Sequence, residues 1–300
     1  MKAVEMLDYG APEVLVDTNT APQPVLKPKQ VLVKQHATAI DPYDVKFRQG
    51  LMGTDKPTPL IPGSSVAGVV VAIGSEVTEF AIGDRVAAST HLKSYAALVA
   101  VGQSLLAKIP AQVSDVQAAA SVLGAQTGYQ MIMTDLAIQP GETVLIHGGA
   151  GAVGMMAIQL AKRQGAGQIY TTAHGAGAAA IRAIDPTIQV IDYQTTTLTE
   201  AMPDGVDAVL DTIGGETLRA SCQVLKPDGR LVSLVDSVDD PRVTQSYLQV
   251  SGAQLAALLA LIADGQVTLL ISDERPFNAA NVRYFQTLHH VVGKLVLTFD

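Results

Sequence analysis

Three glycines, Gly149, Gly151 and Gly154, follow the apolar run Val144-Leu145-Ile146 at the spacing G-x-G-x-x-G. Glycines so spaced can hold a dinucleotide pyrophosphate. The first permits a tight turn, the second lets backbone approach phosphate, and the third lets a helix pack on the preceding strand. Val153, Met156, Ala157, Leu160 and Ala161 then recur at i, i+3, i+4, i+7 and i+8, which predicts a helix with one buried face. Free N–H groups at the start of such a helix face an anion, and the helix dipole favours its charge. Lys162 and Arg163 fall in the last turn, before a capping Gly165. A glycine-rich βα turn that binds nothing has the same local pattern. The strand-like run at 168–172 completes a βαβ unit and favours dinucleotide binding.

The residues beyond the turn bear on which dinucleotide. An NAD site usually has Asp or Glu about twenty residues past the glycines, taking the ribose 2′-hydroxyl. This chain has Tyr170-Thr171-Thr172-Ala173-His174-Gly175 there, with no carboxylate to repel a 2′-phosphate. Thr172 and His174 could hydrogen-bond that phosphate, although no Lys or Arg occurs before Arg182. The missing acid favours NADP(H) over NAD(H), with a solvent-exposed loop histidine as the alternative reading of His174. A catalytic zinc needs three Cys, His or acidic ligands and an open fourth position. His36, Asp41, Asp44 and His91 are present, but in no recognisable ligand order, and the single Cys222 lies in the other half of the chain. No metal is expected; His36 reads as the end of a strand and Asp41 as a turn residue before Pro42.

The elements that must position these residues divide at about Val113. Before it, short β-prone runs at 31–36, 66–73, 85–88 and 95–101 are broken by Gly and Pro, the pattern of a β-rich domain. After it the rhythm is strand, glycine, helix. Candidate strands at 188–191, 206–211 and 230–235 join the two above, an alternation that implies a parallel sheet with helices on both faces. Residues 226–229, Lys-Pro-Asp-Gly, read as a turn, 255–262 as an apolar helix and 293–299 as a last strand returning to the first domain.

A chain of 300 residues with 48% hydrophobic and 16% charged residues can bury a sizeable core and most often makes two domains. Its net charge of -8 argues against nucleic-acid or anionic-membrane partners, which need basic patches. No stretch approaches membrane length and residues 1–6 lack the apolar core of a signal peptide, so a cytoplasmic protein is expected. One cysteine allows no internal disulfide.

Further motifs carry a resemblance. They are A-I-D-P-Y-D-V-K-F-R-Q-G at 39–50, I-P-G-S-S-V-A-G-V-V at 61–70, G-D-R-V at 83–86, S-Y-A at 94–96 and G-A-Q-T-G-Y at 124–129. After the glycine turn come I-D-Y at 191–193, V-D-A-V-L-D-T-I-G-G at 206–215, L-K-P-D-G-R-L-V at 225–232 and G-K-L-V-L at 293–297. In these the chain resembles the zinc-independent, quinone oxidoreductase-like members of the medium-chain dehydrogenase/reductase superfamily. The resemblance implies an α/β protein with a GroES-like β-rich catalytic domain, 1–113 with a return at 266–300, and a Rossmann domain with a doubly wound parallel sheet at 114–265. It implies NADPH as cofactor, with Ala152 and Val153 giving N–H groups to the pyrophosphate, Thr127 near the nicotinamide and Tyr193 near the adenosine ribose or its phosphate. Thr212, Ile213 and the strand end at Val235 would line the rest of the cofactor path. A homodimer is common among such proteins and is expected here.

Tyr43, beside Asp41, is the best matched position for a polar side chain facing substrate, and the two are the candidate catalytic residues. A tyrosine hydroxyl there could stabilise a developing enolate or phenolate and relay a proton; a buried phenol with a structural partner is the other reading. The chain departs from its relatives at Asp41, where Asn is common, and in a shortened segment at 236–246. An ionised Asp cannot donate a hydrogen bond to substrate oxygen. The expected activity is hydride transfer from NADPH to a quinone or α,β-unsaturated carbonyl. The alternatives are reduction of simple carbonyls, as by an alcohol dehydrogenase, and nucleotide binding with little turnover.

Overall fold

A computed structural model describes residues 1–300 as two compact units. The first comprises Met1–Gly124, Val250–His290 and Lys294–Asp300, and the second Ala125–Gln249 with Val291–Gly293. In the first unit β1 (Ala3–Met6) and β2 (Leu15–Thr18) form an antiparallel pair. The longer β3 (Gln30–Ala39) buries Val31, Val33, Gln35 and Ala37 in alternation, so one side chain in two enters the core. Helix α1 (Pro42–Arg48) follows at once. Next come β4 (Ser65–Ile73), β5 (Arg85–Ser89), β6 (Leu98–Gly102) and β7 (Leu106–Lys108). β4 pairs with β3, β5 with β4 and β7 with β5, all antiparallel, while β6 pairs with residues 30–34 of β3. Val31, Val33, Val66, Val70, Val86 and Val99 make the core they enclose. Helix α2 (Asp115–Ala120) packs against β3 and β4.

The second unit opens with α3 (Gln126–Gln130) and a π-helical turn at Met131–Asp135. It continues through β8 (Thr143–Ile146), α4 (Ala152–Arg163), β9 (Gln168–Thr172), α5 (Gly175–Ile184) and β10 (Gln189–Ile191). Then follow α6 (Leu198–Ala201), β11 (Val206–Asp211), α7 (Gly215–Val224), β12 (Leu225–Ser233) and β13 (Val243–Gln245). All six strands run parallel in the order β10-β9-β8-β11-β12-β13. Numbered from β8, that order is 3-2-1-4-5-6, the doubly wound arrangement that reverses direction between its first and fourth strands. Ligands bind such sheets beyond the carboxyl ends at the reversal, here between β8 and β11. The expected turn at 226–229 is a bulge within β12: Val206 pairs with Leu225, and Ala208 already pairs with Arg230.

The chain returns to the first unit through α8 (Gly252–Ala263), β14 (Ile271–Pro276), α9 (Ala279–Thr287) and β15 (Lys294–Thr298). β15 pairs with residues 37–39 of β3 and with β14. The units differ from the expected division in three places, one of them the short stretch Val291–Gly293, which belongs to the second unit. The first extends past Val113 to Gly124 because α2 covers its sheet, and it gains α8, whose Gly252 lies so close to Leu106 O that a Cβ there would come within 2.2 Å. A change from strand-like to helical pattern marked the boundary near Val113 in the sequence, but packing, not periodicity, decides which unit a helix joins.

Candidate active site

In the second unit β8 ends at Ile146, and His147 and the glycine turn follow at the sheet's reversal. Each glycine of the motif meets a different limit. A Cβ on Gly149 would lie 2.0 Å from Thr171 Oγ1, and one on Gly154 would lie 2.4 Å from Gly148 O and 2.7 Å from Gly149 Cα. At Gly151 nothing stands closer than Gly148 O at 3.5 Å, so a side chain would project into open space. A glycine there suits the close approach of backbone to a pyrophosphate. Gly151 is the N-cap of α4, and no side chain caps the helix. The first N–H groups of the twelve-residue α4, at Ala152 and Val153, have no acceptor within the helix and suit an anion. Gly128, whose Cβ would lie 2.6 Å from Val153 O, lets α3 press against the start of α4 and sets the buried Thr127 beside the turn.

A buried polar set supports the turn from below. Ser221 Oγ donates to Thr217 O (2.7 Å), so it accepts from His147 Nε2–H (2.8 Å). His147 Nδ1 then accepts from the Thr172 hydroxyl (3.0 Å), which itself accepts from Gly148 N–H (3.2 Å). The expected outward role of Thr172 toward a 2′-phosphate gives way to this one, since its hydroxyl is turned inward on the glycine turn. Burial holds the His147 imidazole down at about 4, so it stays neutral.

The remaining cofactor candidates of this unit cluster at the carboxyl ends of its parallel strands. His174, the exposed N-cap of α5, contacts Asp192 Oδ2 through Nδ1 at 2.9 Å and meets the Tyr193 ring edge-on at 6.2 Å. Tyr193 is 54% exposed and Ile213 53%, large apolar surfaces available to a ligand. Thr212 Oγ1 donates to His147 O (2.9 Å), which ties the ends of β11 and β8 together. Val235 lines a cavity of about 400 Å³ with Gly215, Leu218, Asp236 and Gln245. Asp192 was not singled out as a site residue in the sequence, because it follows β10 rather than the end of β9.

In the first unit the two catalytic candidates are placed differently. Asp41 is 1% exposed, forms an ion pair with Lys294 and accepts from Ser65 Oγ (2.9 Å). Asp44 lies beside it, accepting from Ser64 Oγ (2.6 Å), Tyr95 OH (3.1 Å) and Asp41 N–H (3.2 Å). Gln286 Nε2 approaches Tyr95 OH at 3.5 Å, and Arg48 Nε donates to Gln286 Oε1 at 2.6 Å. Asp41 therefore anchors a buried polar network. Tyr43 is half-buried, stacked on Phe47 (6.4 Å, 22°) one helical turn away and tilted against His91 (6.2 Å). Burial and then the Asp44 charge raise its pKa, so the phenol keeps its proton.

Comparison with known proteins follows this geometry closely. An alcohol dehydrogenase GroES-like domain matches residues 27–139 and a zinc-binding dehydrogenase domain residues 188–297. The chain is 34% identical to the chloroplastic NADPH-dependent alkenal/one oxidoreductase of Arabidopsis thaliana, over 99% of this chain and 79% of that relative. The quinone oxidoreductase from Coxiella burnetii superposes with a TM-score of 0.89 at 30% identity, covering 100% of this chain and 99% of that one. The chain belongs to the quinone oxidoreductase-like medium-chain dehydrogenase/reductase family. Another solved member, the Escherichia coli quinone oxidoreductase complexed with NADPH, superposes with a TM-score of 0.85 at 26% identity, covering 99% of this chain and all of that one. The expected fold and family are borne out.

Zinc, implied by one of the matching domain names, does not fit this family member. No three His, Cys, Asp or Glu side chains gather so as to hold a metal ion. His36 Nδ1 is held by Asp115 at 2.8 Å, Asp41 by Lys294, and Cys222 lies on α7. No helix is long and apolar enough to cross a membrane.

The family's two units carry opposite pH dependences here. Burial and then the Asp41 charge push the Asp44 carboxyl up to about 7. Raised above its unfolded value, it contributes stability that is full below ~4 and lost as pH rises through about 7. His147, lowered to about 4, contributes stability that is full above ~6.5 and lost as pH falls toward 4, on the order of 3 kcal/mol. Urea midpoints at pH 7 and pH 5 should therefore diverge in Asp44→Asn, which loses more stability on acidification than the unaltered chain. Parallel profiles would show that Asp44 is ionised throughout.

Proposed function

We propose that the protein is an NADPH-dependent reductase of quinones or α,β-unsaturated carbonyls. The observation that carries this is the glycine turn at the sheet reversal, clear at Gly151 and followed by the uncapped α4. The named activities of its relatives, an alkenal/one oxidoreductase and quinone oxidoreductases, support it. Bound NADPH supplies a hydride from its dihydronicotinamide ring. Gly149, Gly151 and Gly154 with the Ala152 and Val153 amides would hold its pyrophosphate, and Thr127, Thr212, Ile213 and Val235 would line the path beyond it. Tyr193 would pack at the adenosine end.

Tyr43 is the general acid. Its hydroxyl would donate a proton to the substrate carbonyl oxygen as the electron pair displaced from the electrophilic carbon collects there. The phenol then recovers a proton from solvent. Asp41, ion-paired and acceptor-only, stays outside this transfer. The donor set that would let zinc polarise a simple carbonyl is missing, which favours conjugated acceptors over plain aldehydes and ketones. Steady-state NADPH oxidation against quinones, enones and simple aldehydes tests the reading. Turnover with the first two groups is expected, and turnover of simple aldehydes alone would overturn it.

His174 is the residue we assign to the NADPH 2′-phosphate, since its ring is exposed at the start of α5 and oriented by Asp192. His174→Ala should weaken NADPH binding about tenfold while leaving NADH binding unchanged, read by fluorescence titration of each. Equal losses for both would remove His174 from cofactor selection. We read the enzyme as a cytoplasmic homodimer; the open edge strand β13 and the exposed Tyr247 beyond it suit edge-to-edge pairing.

A further inference from the structure

Gly293, which is bridged to the glycine turn, and Lys294, which is ion-paired at the head of the helix that carries Tyr43, are joined by one peptide bond. Gly293 belongs to the second unit, where its N–H donates to Ala150 O at 2.8 Å and its backbone forms a parallel bridge with Gly151. Lys294 is the next residue and belongs to the first unit. There its side chain, 5% exposed, pairs with Asp41, the residue at the head of α1 and two before Tyr43. The backbone on either side is fixed as well: Lys294 N–H donates to Leu270 O (2.9 Å) and Ile40 N–H to Leu295 O (3.1 Å).

We propose that the Gly293–Lys294 link couples cofactor occupancy of the glycine turn to the placement of α1, which makes Lys294 and Asp41 positioning residues for Tyr43. The inference rests on the reading that NADPH docks its pyrophosphate at this turn. The peptide plane is rigid and the N–H groups on both sides of it are hydrogen-bonded, so a shift or stiffening at Gly293 is passed to Lys294. The buried ion pair carries it onward, because both charges lose heavily if they separate in a site that water does not reach. Stability alone does not call for this pair, since apolar replacements of similar volume commonly hold a fold as well.

Hydrogen–deuterium exchange of the full-length protein, with and without saturating NADPH, tests the link. Protection at 148–154 reports cofactor docking, and protection at 42–49 reports the coupling. NADPH should slow exchange at both segments, by about tenfold at 42–49. Lys294→Met alone leaves the Asp41 charge buried without its partner and threatens the fold, so the informative variant is Asp41→Asn with Lys294→Met. That double variant should keep the protection at 148–154, lose it at 42–49, and show a lowered kcat with an unchanged dissociation constant for NADPH. Protection at 148–154 without any at 42–49 in the unaltered chain overturns the coupling, as does full protection at 42–49 in the double variant. Protection at neither segment overturns the docking reading and the coupling with it.

Discussion

Gly154→Val is expected to cost at least ~100-fold in NADPH affinity and to lower the melting temperature of the protein, whereas Gly151→Ala should lose cofactor with little loss of fold. The difference follows from what each added carbon meets. At Gly154 the obstacles are backbone atoms, Gly148 O at 2.4 Å and Gly149 Cα at 2.7 Å, which cannot rotate away. The turn must open, and the α4 amides then lose their aim. At Gly151 the nearest atom is 3.5 Å away, so an alanine is accommodated in the free protein and costs about 1 kcal/mol or less as an N-cap. Its methyl group would occupy the space assigned to the pyrophosphate. Titration calorimetry and thermal melts on the two variants separate stability from binding. Wild-type NADPH affinity in Gly151→Ala would mean that the pyrophosphate does not pass over this glycine.

Tyr43→Phe is expected to lower kcat about 100-fold for every accepted substrate and to leave NADPH affinity unchanged. The substitution removes one oxygen and preserves the ring contacts with Phe47 and His91, so loss of packing cannot account for a loss of rate. The raised Tyr43 pKa adds a pH signature. A phenol held protonated by burial and by the Asp44 charge remains a donor throughout the neutral and mildly alkaline range, so kcat should stay level there rather than fall. Undiminished turnover in Tyr43→Phe would reduce this residue to a structural phenol.

Legibility in the sequence tracked the distance between interacting residues. The glycine turn, β8, α4 and β9 form one continuous stretch whose apolar period changes at the glycines, and the structure places all of them as the pattern implies. The ion pair of Asp41 with Lys294 links residues 253 positions apart, and no local pattern could pair them. Asp41 read as a turn residue for the same reason, although burial makes it the anchor of α1. Thr172 was visible as a polar residue past the turn, but the direction of its hydroxyl depends on His147 and Ser221, which arrive from other elements. β13 escaped notice because three residues, Val-Thr-Gln at a sheet edge, carry too little alternation to register. The resemblance to relatives supplied Tyr193, Thr212 and Ile213, whose positions at strand ends no periodicity predicts.

The most direct test of the proposed chemistry is the fate of the transferred hydrogen. An α,β-unsaturated ketone is turned over with NADPH carrying deuterium at the reactive C4 position, and the product is examined by mass spectrometry and NMR. Deuterium on the β-carbon of a saturated ketone is the predicted result, since conjugate addition needs only an oriented cofactor and a proton donor at the carbonyl oxygen. Deuterium on the carbinol carbon of an allylic alcohol would contradict it and assign the protein to simple carbonyl reduction.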